Sequence, residues 1–211
     1  MTNPTEPRAL RDDRLRAERA SLARTARHVA PLNALVDQIG TEQGVQNLPL
    51  IDPTFGGADA TVLFVLKAPE GDATPDRPGA RFLSLDNDDL TAVDFFSLTQ
   101  EAGLKRSSIC PWNICPFPIE GAKATVGEVR RASAYHRRLF ALLPNLRAIV
   151  LFGDSASAHW KHVPYRGNIE PLTCHLPSRW NRPDHSGVPR NPESWSGIQV
   201  ALAAVAEVAS L

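Results

Sequence analysis

Apolar residues recur along this chain in two rhythms, one near 3.6 residues and one in short unbroken runs. From Pro7 to about Gly40, Leu10, Leu15, Leu22, Leu32, Leu35 and Val36 stand among many arginines at helical spacing, and Pro31 predicts a break between two helices. The stretch 47–60, dense in Pro and Gly, predicts a loop. Residues 61–66, TVLFVL, then form a compact apolar run with the character of a buried parallel strand. Three prolines and two glycines in 67–82 break regular structure, so a long polar loop follows that strand. Residues 88–102 predict an amphipathic helix, with Asp88 or Asp89 as N-cap and Gly103 as stop. A second strand is expected in 107–118, a basic amphipathic helix over 126–143, and a third strand in 145–153. A short helix over 155–162, a fourth strand in 171–177 and an Ala/Val-rich helix over 194–211 complete the pattern.

Strands that alternate with helices require crossovers, and crossovers give a parallel sheet covered on its faces. The expected class is therefore α/β: three layers, α/β/α, around a central four-stranded parallel sheet. Residues 1–48 read as an N-terminal helical element packed on the α/β domain of 49–211, a single domain overall, as 211 residues allow.

Composition narrows the functional classes. With 43% hydrophobic and 22% charged residues the chain can bury a core. No run approaches the roughly 18 apolar residues of a membrane helix, and the first stretch lacks the apolar core of a secretory leader. A cytoplasmic, monomeric protein with no membrane partner is expected. The three cysteines, Cys110, Cys115 and Cys174, form no C-x-x-C pair, so neither a disulfide framework nor an iron-sulfur cluster is expected. Adjacent Cys174 and His175 would point to opposite faces of a strand, which argues against a shared zinc. No metal or cofactor is expected.

In parallel sheets functional groups gather beyond the C-terminal strand ends. The first end carries Lys67, Ala68, Pro69, Glu70 and Asp72. The second carries Asn113, whose amide both donates and accepts and can pair with a nucleobase edge; fixing a turn before a proline is its other reading. The third, Gly153-Asp154-Ser155, lacks both G-x-G-x-x-G and G-K-[ST], so a mononucleotide-hydrolase loop is not supported. The fourth places His175 at a strand tip, followed by Ser178, Arg179, Trp180 and Arg182, residue types suited to phosphates and base stacking.

These residues, from about Leu50 to Arg182, resemble the uracil-DNA glycosylase superfamily. The resemblance rests on five strings in order. An apolar strand leads into Ala68-Pro69-Glu70, and Gly79-Ala80-Arg81-Phe82 follows. Glu101-Ala102-Gly103-Leu104 precedes the strand ending at Asn113, Ile149 to Gly153 precede Ala156, and His175-Leu176-Pro177-Ser178 lies a few residues before Asn181-Arg182. Lys67 departs from the Glu of the closest branches, and Ala68 stands where another branch has its water-activating Asp.

The resemblance implies a monofunctional glycosylase that flips uracil out of single- or double-stranded DNA and hydrolyses its N-glycosidic bond. On that reading Asn113 pairs with the uracil edge, Phe82 stacks on its face, and backbone amides near Ala68, with Lys67 and Pro69 beside them, contact the base. His175 stabilises charge on O2, Glu70 or Asp72 positions the water, and Ser178, Arg179, Trp180 and Arg182 meet the DNA. A glycosylase for another deaminated or mismatched base, a non-catalytic binder of uracil-containing DNA, and an unrelated nucleotide-binding α/β domain stay open.

Lys plus Arg and Asp plus Glu both number 23, giving zero net charge. Acids predominate between Asp52 and Glu101, whereas bases concentrate in the N-terminal helices, in 123–138 and in 161–190. That separation predicts a polarised surface compatible with DNA.

Overall fold

The computed structural model describes residues 4–75 and 81–210. Helix α1 (Asp13–Thr25) begins at Asp12, whose carboxylate accepts from the Arg14 and Leu15 amides. Helix α2 (Ala30–Gln43) carries Pro31 in its first turn, so the break falls over 26–29, ahead of the proline: proline's fixed φ suits a helix start. Strand β1 (Leu50–Ile51) lies inside the segment expected as loop, and it pairs in parallel with β3 (Phe82–Leu83) as a separate two-stranded sheet. Two-residue strands leave no periodic signal.

The central sheet contains β2 (Val62–Leu66), β4 (Ile109–Asn113), β5 (Ala148–Phe152) and β6 (Leu172–Cys174), all parallel and in the order β4-β2-β5-β6. Pro111 sits within β4, which a missing amide tolerates because β4 is an edge strand. The connections include α3 (Leu90–Glu101), α4 (Val126–Arg131), α5 (Ser133–Ala141) and α6 (Gly153–His159), and the described chain closes with α7 (Pro192–Ser210). The helix expected over 126–143 is thus two, joined at Ala132. Helices flank the sheet, as a three-layer arrangement requires: α3 packs on α7, α7 on β5 and β6, and α6 on β2, β5 and β6. No helix among the described residues is long and apolar enough to cross a membrane.

Phe64 of β2, Phe152 of β5 and Phe95 of α3 meet edge-on in the core, with centroids of 4.9 Å for Phe64–Phe152 and 4.8 Å for Phe95–Phe152. The N-terminal helices join that core through polar contacts. Buried Asn33 of α2 donates to the Ala23 and Ile51 carbonyls and accepts from the Ile51 amide at 2.7 Å. At Gly57, with φ +57°, a Cβ would stand 2.1 Å from the His28 carbonyl oxygen, so only glycine permits this approach.

Arg19 of α1 is fully buried. It contacts Asp52 at 2.5 Å and Asp86 at 2.7 Å, while Arg106 clamps Asp86 through two bonds of 2.6 and 2.7 Å. Two guanidinium and two carboxylate groups thereby cancel inside the protein.

His136 on α5 is also buried, and desolvation, reinforced by Arg137, lowers its pKa from 6.5 to about 4. The unfolded chain takes up a proton near pH 6.5 that the fold refuses until about pH 4. Stability is therefore full above pH 6.5 and falls as pH drops, by about 3 kcal/mol at pH 4. Urea titrations of His136→Gln are expected to show a shallower loss between pH 6.5 and 4; an unchanged slope would exclude His136 as its source.

Candidate active-site cleft

In the pleat of β2, β4 and β5, residues two apart share a face, and register places Leu66 beside Asn113 and Phe64 beside Pro111. At the C-terminal end of the sheet these side chains, with Phe152 and Phe95, floor a cleft of about 870 Å³. Two further bonds beyond β4, from the Ile114 amide to the Leu66 carbonyl and from the Cys115 amide to the Lys67 carbonyl, hold the strand ends in register.

Asn113 is 3% exposed and lines this floor. Among the described residues its amide has no hydrogen-bond partner, whereas buried Asn33, Asn87 and Asn181 are all engaged by protein groups. An amide with an open donor and an open acceptor, set among Phe and Leu side chains, is built to receive a planar group carrying an N–H beside a C=O.

Gly153, at φ +79°, makes the turn from β5 into α6, and its Cβ position lies 3.5 Å from the Cβ of Leu176. The tight turn brings the His175 loop against the third strand end. His175 itself is exposed and lines the cleft. Its loop is fixed from within: Asn181 accepts from the Ser178 amide at 2.8 Å and donates to the Leu176 carbonyl at 2.9 Å, and the Ser178 carbonyl accepts from the Asn181 and Arg182 amides. Ser178 and Trp180 line the cleft, and Trp180 is 72% exposed with the Arg179 guanidinium 4.6 Å from its ring centre.

On the first strand end, Lys67, Ala68 and Glu70 line the cleft. The Lys67 ammonium donates to the Ala122 carbonyl at 2.8 Å and pairs with Glu70 at 2.5 Å, which ties this loop to the segment after β4. The side chain of Asp72 lies outside the described residues.

Three expectations change. Phe82 is 1% exposed, belongs to β3 and does not line the cleft, because pairing with β1 turns it into the core; Leu83 and Leu85 line the wall instead. Arg182 does not face outward: it pairs with Asp94 of α3 at 2.9 and 2.7 Å, both side chains being largely buried. Burial pushes the Asp94 carboxyl up, and Arg182 counters that. Pro69 is buried beside the cleft without lining it.

The residues missed by sequence reading are those supplied by helix starts. Ser84, Asn87 and Asp89 before α3, Ser155 in α6, and Asn191 and Ser194 at the start of α7 all line the cleft. Asp89, expected as an N-cap from the sequence, and Asn191, whose capping signal could have located it, cap their helices, but only the packing turns those helix starts toward one cavity.

Burial raises the thiols of Cys110, Cys115 and Cys174 to about 12, which disfavours the thiolates that metal binding requires. Among the described residues no group of three or more His, Cys, Asp or Glu side chains is placed to hold a metal ion. No family model matches the chain, and no curated protein matches it at a significant level.

Proposed function

We propose that this chain is a DNA glycosylase that receives an extruded uracil in the cleft and hydrolyses its N-glycosidic bond. Asn113 carries the reading: a buried, unpartnered amide on an aromatic floor complements the N3–H and O4 edge of uracil, one group accepting and the other donating. The four-stranded parallel sheet, with Asn113, Glu70 and His175 on three of its strand ends around one cleft, supports a uracil-DNA glycosylase-like fold.

In the reaction the bond from C1′ to N1 breaks and its electron pair leaves with the base. His175, on the lip, donates to O2 as negative charge grows there. Glu70 orients the water that adds to C1′ and accepts its proton, leaving the uracil anion and an abasic sugar; the proton is then released through solvent, where the departing anion takes one up to give free uracil. Lys67 holds the carboxylate against the Ala122 loop. The Phe64, Phe95 and Phe152 floor takes over the apolar enclosure expected of Phe82. Arg182 acts through its Asp94 bond, holding the loop that exposes Arg179 and Trp180 to the DNA.

Oligonucleotides carrying uracil, hypoxanthine or a thymine mismatch, treated with the protein and then with alkali, test this reading. Cleavage at uracil is the expected result. Cleavage only at another base would reassign the substrate, and retention of uracil DNA without cleavage would make the chain a binder. Absence of both retention and cleavage would exclude the proposal.

A further inference from the structure

Two elements that start at the cleft carry positive charge away from it. Helix α4 follows Lys123 and α6 opens at Gly153, both cleft residues, and the Ala124 amide donates to the Ser155 hydroxyl at 3.2 Å, fixing the two starts side by side. Farther along, α4 packs on the single 3-10 turn Trp160–His162 that follows α6. Arg130 near the end of α4 and Lys161 in that turn are exposed, with His162 partly exposed between its neighbours. The rings of His159 and His162 stand 6.2 Å apart, and the His159 Nδ1 is buried without a hydrogen-bond partner among the described residues.

The carboxylates on these elements are Glu128 and Asp154. Glu128 is occupied by the Thr125 amide and hydroxyl, both at 2.8 Å, and Asp154 faces Lys123 at 3.9 Å near the cleft. Among the described residues no carboxylate pairs with Arg130 or Lys161. Partial desolvation and the charges of Arg130, Lys161 and His159 together lower the His162 pKa, as in a field of uncompensated positive charge.

We infer that Arg130, Lys161 and His162 form a phosphate-tracking strip for the DNA strand that leaves the cleft. The inference rests on the glycosylase reading and adds to it a binding surface away from the base pocket. Arg130 lies about 6 Å along α4 from Val126 at 1.5 Å per residue, or roughly two phosphate steps of one strand at 3.4 Å each. A backbone contact of this kind positions DNA without reading its sequence.

Binding of a uracil-free duplex, followed by fluorescence anisotropy against salt, tests the strip. Each lost phosphate contact removes about 0.9 from the slope of log K against log salt, so Arg130→Gln with Lys161→Gln is expected to lower it by roughly 2. Single-turnover uracil release at saturating DNA should stay unchanged. Arg14→Gln with Arg27→Gln, which removes two exposed charges from the N-terminal segment, should leave the slope within about 0.5 of wild type if position rather than net charge matters. Equal slopes for the strip variant and wild type, with excision intact, would overturn the strip alone. Tighter binding of polyglutamate than of the uracil-free duplex at equal charge, lost in the strip variant, would overturn it in favour of an acidic protein partner. A wild-type chain with neither salt-dependent DNA binding nor excision would overturn the glycosylase reading with it.

Discussion

Replacing Asn113 with alanine is expected to lower single-turnover uracil release by 100- to 1,000-fold, about 3 to 4 kcal/mol of transition-state stabilisation, while leaving the fold as stable as before. The two halves of that result have one cause. The Asn113 amide is buried at the cleft floor and bonds to no described protein group, so its removal orphans no partner and relieves a desolvated polar group. An asparagine kept for a turn would give the reverse, a lower melting temperature with activity intact. His175→Ala should lose a similar factor, because the exposed imidazole also lines the cleft and serves no described structural contact. Full activity in either variant would remove the base-recognition mechanism, and unfolding data on the same proteins would show whether a loss came from the site or from the fold.

Asp86→Ala is expected to produce the largest loss of stability, about 3 to 5 kcal/mol by urea denaturation. Asp86 accepts from both Arg19 and Arg106, and its removal leaves buried Arg19 with Asp52 alone and buried Arg106 with no carboxylate partner among the described residues. The cost is that of uncompensated buried charge and exceeds what the original pairs contributed. Asp37→Asn supplies the contrast. Its bond to Arg24 joins half-exposed side chains, and exposed pairs contribute at most about 1 kcal/mol. Equal effects at the two positions would contradict the buried network. The same network touches the cleft wall, since Ser84 donates to Asp52 and accepts from the Asp86 amide. Helix α1 is thereby tied to a residue that lines the site.

A chain with equal numbers of acidic and basic residues can still present local charge, because its exposed acids and bases lie in different places. Arg19, Arg106, Asp52 and Asp86 neutralise one another inside, whereas Arg130 and Lys161 have no described acid partner. The buried pairs remove equal numbers of each sign, so a zero sum leaves open how charge is distributed over the surface.

The unbroken apolar run 61–66 determined β2, a strand buried along nearly its whole length, and the helical spacing of Val93, Phe95, Phe96 and Leu98 determined α3, which buries Phe95, Phe96 and Leu98 and leaves Leu90 exposed. The strand ends, and with them Asn113, Glu70 and His175 as residues of one site, followed from the alternation of strands and helices. Only the tertiary structure decided where side chains point once elements pack. Phe82 entered the core because β3 found β1, a pairing of two residues with no periodic trace, and Arg182 was taken by Asp94 from a helix 88 positions away. Exposure and partnership belong to the folded surface: sequence gives each group its chemistry, and long-range packing determines which of those groups remain open to a ligand.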